Sequence, residues 1–112
     1  MKLITSIIQP HRLGAVREAL EAIGITGATI SEASGSGRQK GHSEFYRGAE
    51  YNITVVPKIR LETLVEDDLV PAALDAIVEA AASGKIGDGK VWVTPVEEII
   101  RVRTGERGSN AL

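Results

Sequence analysis

The sequence predicts a single α+β domain in which two helices pack on one face of a four-stranded antiparallel sheet. Its 112 residues match the size of one domain, and 43% of them are hydrophobic while 25% are charged. Stretches with helical and with β-strand character follow one another in the order strand, helix, strand, long loop, strand, helix, strand. Two successive strand–helix–strand units favour an arrangement with both helices on the same side of the sheet.

The first unit begins with an apolar strand at residues 3–8, which is rich in Ile and ends before Pro10. An amphipathic helix follows and is expected to end at Gly24. Its apolar positions are Leu13, Val16, Leu20 and Ile23. Because the strand is apolar on both faces, we expect its uncovered face to pack on another copy of the chain.

A weaker strand at residues 26–33 leads into a long polar segment. No periodicity is visible from about residue 35 to 52, so the sequence predicts a loop there. This loop nevertheless contains three of the four aromatic residues, Phe45, Tyr46 and Tyr51. Aromatic side chains normally lie in a core because of their large apolar area. Their position is explained either by contacts with a partner or by packing back on the domain.

The second unit begins with an alternating strand at residues 58–66, with apolar side chains on one face and charged ones on a solvated face. Asp67 and Asp68 are candidate caps for the next helix, and Pro71 suits its first turn. Gly84 is expected to end this helix. Its apolar positions are Val70, Leu74, Ile77 and Val78.

Two short strands are predicted on either side of Pro95, at residues 91–94 and 99–103. The tail TGERGSNAL is expected to be frayed or ordered by a partner. The complete order of elements is that of the ferredoxin-like βαββαβ fold, an α+β sandwich.

Composition excludes several classes of function. A net charge of −2 gives no general attraction for nucleic acid, and an RNA-binding domain of this fold would need aromatic residues on its central strands. The absence of Cys excludes disulfides and thiolate metal sites. No apolar run reaches membrane-spanning length, and the N-terminal apolar run is too short for a signal peptide, so the cytoplasm is the expected location. Neither His11 nor His42 has neighbours that would complete a metal site.

The segment GKIGDGK at residues 84–90 contains the pattern of a P-loop but does not fit that fold. Val91 stands where a P-loop needs Ser or Thr for Mg²⁺, and here a helix enters the loop while a strand leaves it. Two interpretations remain open. The backbone amides of the three glycines and Lys90 can hold phosphate without that fold, or the segment is a helix end followed by a tight turn.

The segment RVRTGER at residues 101–107 offers further cations. On a strand, Arg101 and Arg103 would project to one face, where like charges are unfavourable unless an anion lies between them. One alternative is ion pairing on a solvated face, with Glu62, Glu97 or Glu98. The other is a polyphosphate, which is favoured because Lys90 opens the strand that leads towards this turn.

Four blocks together resemble the PII nitrogen-regulatory signal proteins of the GlnB/GlnK type. The blocks are GRQKGHxExYRGAEY, PK, GKIGDGK and RVRTGERG, in the family's order and spacing over essentially the whole chain. The resemblance implies one PII domain over residues 1–112 that forms a homotrimer and binds ATP or ADP in clefts between subunits. It places a T-loop at about 37–55, a phosphate-binding B-loop at about 83–90 and a C-terminal loop at about 102–112.

The resemblance also implies the ligand contacts. The phosphates would be held by Gly87, Asp88, Gly89, Lys90, Arg101 and Arg103. The base and ribose would lie near Thr29, Glu62, Thr63 and Leu64, while Gly37, Arg38 and Gln39 would lead from the loop base towards the phosphates. 2-Oxoglutarate would bind near Gly37, Gln39, Lys58 and Gly87, with Lys58 pairing with its distal carboxylate.

Mg²⁺ would be held by the ATP phosphates, the keto acid and the amide oxygen of Gln39, a set of oxygen ligands that Mg²⁺ prefers. Because the metal would contact both ligands, 2-oxoglutarate is expected to bind well only when ATP is already bound. The coupling is reciprocal, so 2-oxoglutarate should raise the affinity for ATP by the same factor.

On the same resemblance the aromatic-bearing loop is a mobile effector arm. Phe45, Tyr46 and Arg47 would contact partners, and Tyr51 would be the site where a nucleotidyltransferase adds UMP or AMP. The family's targets are an ammonium transporter, a nucleotidyltransferase, a histidine kinase and an arginine-pathway kinase, with membrane contact only through the transporter. We therefore expect a non-enzymatic sensor of ATP, ADP and 2-oxoglutarate; the alternative is a nucleotide-binding enzyme with slow ATP hydrolysis.

Overall fold

The computed structural model describes residues 1–36 and 55–112 and the strand backbones at 42–46 and 49–53. Its strands and α-helices, in chain order, are β1 (Lys2–Ile8), α1 (Leu13–Ala22), β2 (Thr29–Gly35), β3 (His42–Tyr46), β4 (Ala49–Ile53), β5 (Val56–Val65), α2 (Val70–Ala81) and β6 (Gly89–Pro95). Short 3₁₀ turns at Pro10–Arg12, Asp67–Leu69 and Gly108–Ala111 complete this part of the chain.

The main sheet has four strands in the order β2-β5-β1-β6, and each neighbouring pair is antiparallel. Both helices contribute to the buried cluster on one face, which confirms the predicted ferredoxin-like arrangement. Ile4 and Ile8 of β1 and Leu61 of β5 point into this cluster, and Val16 of α1 and Ile77 of α2 meet them there. The core is aliphatic, as the composition requires.

The alternation of β5 is confirmed on the helix face, where Leu61, Thr63 and Val65 are buried. The opposite face is less solvated than the charged residues suggest. Lys58 is only 6% exposed, because it lies beneath the loop between α2 and β6.

The open face of the sheet carries Leu3, Thr5 and Ile7 from β1, as the two-sided apolar pattern predicts. The register aligns Thr5 with Glu62 of β5 and Trp92 of β6 on this face. On the helix face, Ser6 is fully buried, and its hydroxyl donates to the carbonyl of Leu61 at 3.2 Å. That bond satisfies the one polar side chain in the middle of an otherwise apolar strand face.

The end of α1 follows the prediction. Gly24 has a φ of 89°, and the amide of Ile25 donates to the carbonyl of Leu20 at 3.0 Å, a bond that spans the reversal. A left-handed residue of this kind strongly favours glycine, so Gly24 ends the helix for a conformational reason.

The buried stripe of α2 differs from the predicted one. Ala73, Ile77 and Ala81 are buried, whereas Val78 is 53% exposed, so the prediction was wrong at Val78. The buried positions Ala73, Ile77 and Ala81 are four residues apart, so Val78, one residue after Ile77, lies to the side of this stripe. Asp67 makes no capping bond to this helix; its carboxylate accepts from the amino group of Met1 at 2.7 Å and from Lys2 Nζ at 3.1 Å.

Part of the predicted long loop is an antiparallel β-hairpin. Strand β3 pairs with β4 from His42 opposite Ile53 to Tyr46 opposite Ala49, in a two-stranded sheet separate from the main one. The loop prediction was therefore wrong over these residues. Aromatic residues have high strand propensity, and two such runs separated by two residues including a Gly are typical of a hairpin.

The predicted strand at residues 99–103 was also wrong. A single bridge joins Ile100 to Arg107, and between them the amide of Gly105 donates to the carbonyl of Arg101 at 2.8 Å. Gly105 has a φ of 72°, so the chain reverses at this point instead of extending. The tail is not frayed, because Gly108–Ala111 forms a 3₁₀ turn and Leu112 contacts Arg101.

Candidate functional site

A cavity of about 760 Å³ lies beside the start of β2 and the end of β5. This volume is within the range of small-molecule sites. The residues predicted to surround a base and ribose all line it, namely Thr29, Glu62, Thr63 and Leu64. The remaining wall is formed by aliphatic residues, by the segment around Gly27, and by the acidic residues Glu66 and Asp68.

The strand register explains why these residues share a wall. Thr29 lies directly opposite Glu62, and Glu62 lies opposite Thr5 on the next strand. The hydroxyl of Thr5 donates to Glu62 Oε2 at 3.1 Å, which fixes one carboxylate oxygen and leaves Oε1 able to accept from a ligand.

The hydroxyl of Thr63 has a structural partner. It donates to the carbonyl of Gly27 at 2.6 Å, and the residue is only 3% exposed. Thr63 therefore holds the segment before β2 against β5, and its hydroxyl is already engaged.

The glycine-rich segment connects the end of α2 to β6, which is the reverse of a P-loop and agrees with the sequence argument. Its shape depends on the carboxylate of Asp88. This group accepts from the Ser83 amide at 2.6 Å, from the Ser83 hydroxyl at 2.5 Å and from the Gly84 amide at 3.0 Å. These bonds, first of all the one from the Ser83 hydroxyl, lower the pKa of Asp88. No sequence prediction covered this role of Asp88, for which the only signal is a Ser five residues before an Asp in a glycine-rich turn.

Gly89 is required at the start of β6. Its φ is 106°, and a Cβ on it would lie 1.7 Å from the carbonyl oxygen of Ile7. The loop therefore enters the sheet in close contact with β1, at a position that only glycine can occupy.

Lys58 lies next to this loop. Its ammonium donates a hydrogen bond to the carbonyl of Gly87, and its stem packs against Gly35, whose added Cβ would be 3.2 Å from Lys58 Cγ. Lys58, Gly87 and Gly89 are thus brought together at the end of β1 that is farther from the cavity.

Lys90 and the cavity lie towards opposite edges of the sheet, whereas Gly87 of the same loop reaches Lys58 of β5. Lys90 is on the edge strand β6, where it pairs with Ile7, and Thr29 is on the other edge strand, β2. Three strand spacings of about 4.8 Å put roughly 14 Å between these edges. Among the described residues that line the cavity, none belongs to the segment 84–90.

Arg101 and Arg103 do not project from one strand. Arg101 lies in the turn after β6, where it pairs with Glu106 at 3.2 Å and donates to the carbonyl of Leu112 at 2.8 Å. Leu112 lines the cavity, so Arg101 is held near the cavity and at the opposite end of β6 from Lys90. Arg103 is exposed. One chain therefore does not bring Lys90 and Arg101 to the same point.

Several predicted residues lie outside the described part: Gly37, Arg38, Gln39 and Arg47. For Phe45, Tyr46 and Tyr51 the backbone alone is described, and it pairs Tyr51 with Glu44. Among the described residues, no three or more His, Cys, Asp or Glu form a group able to hold a metal ion, and no helix is long and apolar enough to span a membrane.

The fold and these residues define a ferredoxin-like domain with a glycine-rich loop before its edge strand β6 and a cavity towards the opposite edge of the sheet. A family model described as Nitrogen regulatory protein P-II matches residues 1–106. Nitrogen regulatory protein P-II of Azospirillum brasilense is 55% identical over 112 residues, covering 100% of both chains. The Haemophilus influenzae protein of the same name is 54% identical and Nitrogen regulatory protein P-II 1 of Escherichia coli is 52% identical, with the same coverage. The chain belongs to the P-II family of nitrogen regulatory proteins, as its four sequence blocks indicated, and its role is therefore regulatory.

Proposed function

We propose that this P-II protein senses ATP, ADP and 2-oxoglutarate, and that it binds the nucleotide at seams between the subunits of a homotrimer. The proposal rests on the distance, within one chain, between Lys90 and the residues predicted to surround the base and ribose. The base and ribose residues line a cavity near one edge of the sheet, whereas Lys90, at the end of the glycine-rich loop, lies on the strand at the other edge. Two copies that meet edge to edge bring one complete set together.

The two halves suit the two ends of a nucleotide. The cavity is apolar and acidic, so it favours a base and a ribose whose hydroxyls donate to Glu62 Oε1. Backbone amides around Gly87 and Gly89 together with the Lys90 ammonium favour phosphate. Arg101 extends from the cavity side and supplies donors for the phosphates from the second copy.

Lys58 suits the carboxylate of 2-oxoglutarate. A buried ammonium is unfavourable unless it is well paired, and a single carbonyl uses only one of its three donors. A carboxylate is the natural partner for the others. Gln39 would be the protein ligand of a bound Mg²⁺, which would supply positive charge for both ATP and the keto acid. Gly37 and Gly87 would contribute to the 2-oxoglutarate site.

The effector arm at residues 37–55 would report the ligand state. Because Gln39 lies at its base, ligands that recruit Gln39 change the conformations available to the arm. Phe45, Tyr46 and Arg47 would then meet an ammonium transporter, a nucleotidyltransferase or a nitrogen-metabolism enzyme in the cytoplasm. Tyr51 would accept UMP or AMP, whose bulk and charge alter the fit.

A slow ATPase is the less favoured function. The relatives that align with the full length of the chain are named as regulatory proteins. A sensor needs the seam to bind and release its ligands, whereas turnover also requires a positioned base.

Calorimetry tests the proposal directly. We expect Mg²⁺–ATP to bind to the wild type, and 2-oxoglutarate to bind strongly only when Mg²⁺–ATP is present. Lys90→Met should remove most of the nucleotide affinity, while Lys85→Met, an exposed lysine in the same loop, serves as the matched control and should retain it. Equal binding of 2-oxoglutarate with and without ATP contradicts the bridging metal, and failure of ATP to bind contradicts the sensor.

A further inference from the structure

Lys58 joins two parts of the chain that the fold otherwise keeps apart. Its aliphatic stem contacts Gly35, the last residue of β2, from which the chain enters the effector arm. Its ammonium donates to the carbonyl of Gly87 in the glycine-rich loop. At 6% exposure the side chain has little freedom, so both contacts are made from one fixed position.

The glycine-rich loop is held from two directions. Asp88 fixes its first half from inside, through Ser83 and Gly84. Its second half contains Gly87, with a φ of 98°, and Gly89, with a φ of 106°. Glycine has broad conformational freedom, so this half needs an outside contact to keep one arrangement of its backbone. Lys58 supplies that contact from the sheet below.

The charge of Lys58 makes this contact effective. A hydrogen bond from a charged donor is stronger than a neutral one, and it is stronger again where water is largely excluded. The carbonyl of Gly87 is thereby held towards the sheet, which restricts the backbone conformations open to the second half of the loop.

We infer that Lys58 is a positioning residue for the phosphate-binding loop, and that it supports nucleotide binding even when no 2-oxoglutarate is present. This inference rests on the proposed function, because it takes residues 87–90 as the phosphate site. It goes further in giving Lys58 a role that needs no contact with any ligand. It also supplies a direct physical link from the root of the effector arm to the nucleotide.

The test uses ADP alone, without 2-oxoglutarate and with Mg²⁺ held constant. Lys58→Met keeps the length of the stem and removes the donor, so we expect the Kd for ADP to rise about tenfold. Lys58→Arg retains a charged donor and should restore most of the affinity. Lys85→Met changes the charge of the same loop without touching Gly87 and should bind ADP as the wild type does.

Hydrogen exchange of the ligand-free protein separates positioning from general stability. In Lys58→Met, amides at residues 84–90 should exchange faster while those of α1 keep their wild-type rates. A uniform rise along the chain, or failure of Lys58→Arg to restore affinity, overturns the inference. If Lys58→Met does not fold, Lys58→Leu carries the same comparison, because Leu also lacks a donor.

The outcomes distinguish the two proposals. If the wild type binds ADP and Lys58→Met binds it equally well, the inference is wrong and the proposed function stands. If the wild type does not bind ADP, both are wrong.

Discussion

The carboxylate of Asp88 accepts two hydrogen bonds from Ser83, one from the backbone amide at 2.6 Å and one from the hydroxyl at 2.5 Å. This pair closes the turn between α2 and β6 and sets the path by which the chain reaches Gly89. The loop is therefore a shaped element, and its shape is provided by a side chain that need not touch any ligand.

We expect Asp88→Ala to weaken ADP binding about tenfold, because the loop loses the acceptor that organises its first half. The domain itself should remain folded, since Asp88 lies outside the buried cluster. Calorimetry gives the affinity and circular dichroism the fold. Asp75→Ala, an exposed aspartate on α2, is the control; equal ADP affinities in the two variants would contradict a shaping role.

Acid should weaken two specific contacts. Hydrogen bonds from the Met1 amino group and from Lys2 lower the pKa of Asp67, and those from Ser83 lower the pKa of Asp88. A carboxyl whose pKa is lower in the folded state stabilises that state above its unfolded pKa of about 3.9 and loses this effect as the pH falls through the folded value. We expect urea midpoints to be insensitive to these groups near pH 7 and to decline below about pH 4. The variant Asp67→Ala should decline less steeply, and an unchanged slope would contradict the assignment.

Two glycines should respond to alanine in opposite directions. Gly89→Ala puts a Cβ against the Ile7 carbonyl at a positive φ, so it should destabilise the protein by about 2 kcal/mol or more. Gly14 lies in α1 with no atom within 4 Å of an added Cβ, so Gly14→Ala should stabilise by about 0.5–1 kcal/mol. Urea unfolding measures both. If Gly89→Ala leaves the stability unchanged, β6 can shift away from β1 to make room for the added Cβ.

Most of the fold could be predicted because the informative patterns are local. The alternation around Leu61 is a two-residue period that is visible in the strand sequence itself. The positive φ at Gly24 is expected because glycine adopts that conformation readily. Val78 was wrongly predicted to face the core. A helical period of three to four residues fits the larger apolar side chains of α2 as well as it fits Ala73 and Ala81, so the period alone does not show which set is buried. Which of these residues face the core depends on how α2 packs on the sheet, which is a tertiary property.

In the candidate site, too, some features follow from the sequence and others only from tertiary contacts. The residues now found around the cavity were named from the family resemblance, and the register of β2 and β5 explains why Thr29 and Glu62 are neighbours. The contacts of Lys58 with Gly87 and of Thr63 with Gly27 join positions 29 and 36 residues apart. No local pattern encodes such pairs, and a charged residue on an alternating strand is more often solvated than buried.

Thr63→Val should destabilise the domain by about 1–2 kcal/mol, since it removes a buried hydroxyl and leaves the Gly27 carbonyl without that donor. Thr94→Val is the matched control: its hydroxyl donates to the Leu3 carbonyl at a longer 3.4 Å, and the residue is exposed. Water can replace the lost donor there, so the change should stay within about 0.5 kcal/mol. Equal midpoints for the two variants would show that burial does not distinguish these bonds.

The seam itself can be tested by mixing two inactive chains. Lys90→Met impairs only the loop half of a site, and Arg101→Gln impairs only the cavity half. Each variant alone should bind ATP poorly, because every interface in its trimer contains one damaged half.

The two variants are then unfolded together in equal amounts and refolded. Random assembly gives about one seam in four with both halves intact, because each seam takes one half from each neighbouring subunit. The mixture should therefore recover about a quarter of the wild-type sites at wild-type affinity, as measured by calorimetry against each variant refolded alone. A site built within one chain predicts no recovery, since every chain then carries one lesion in its own site.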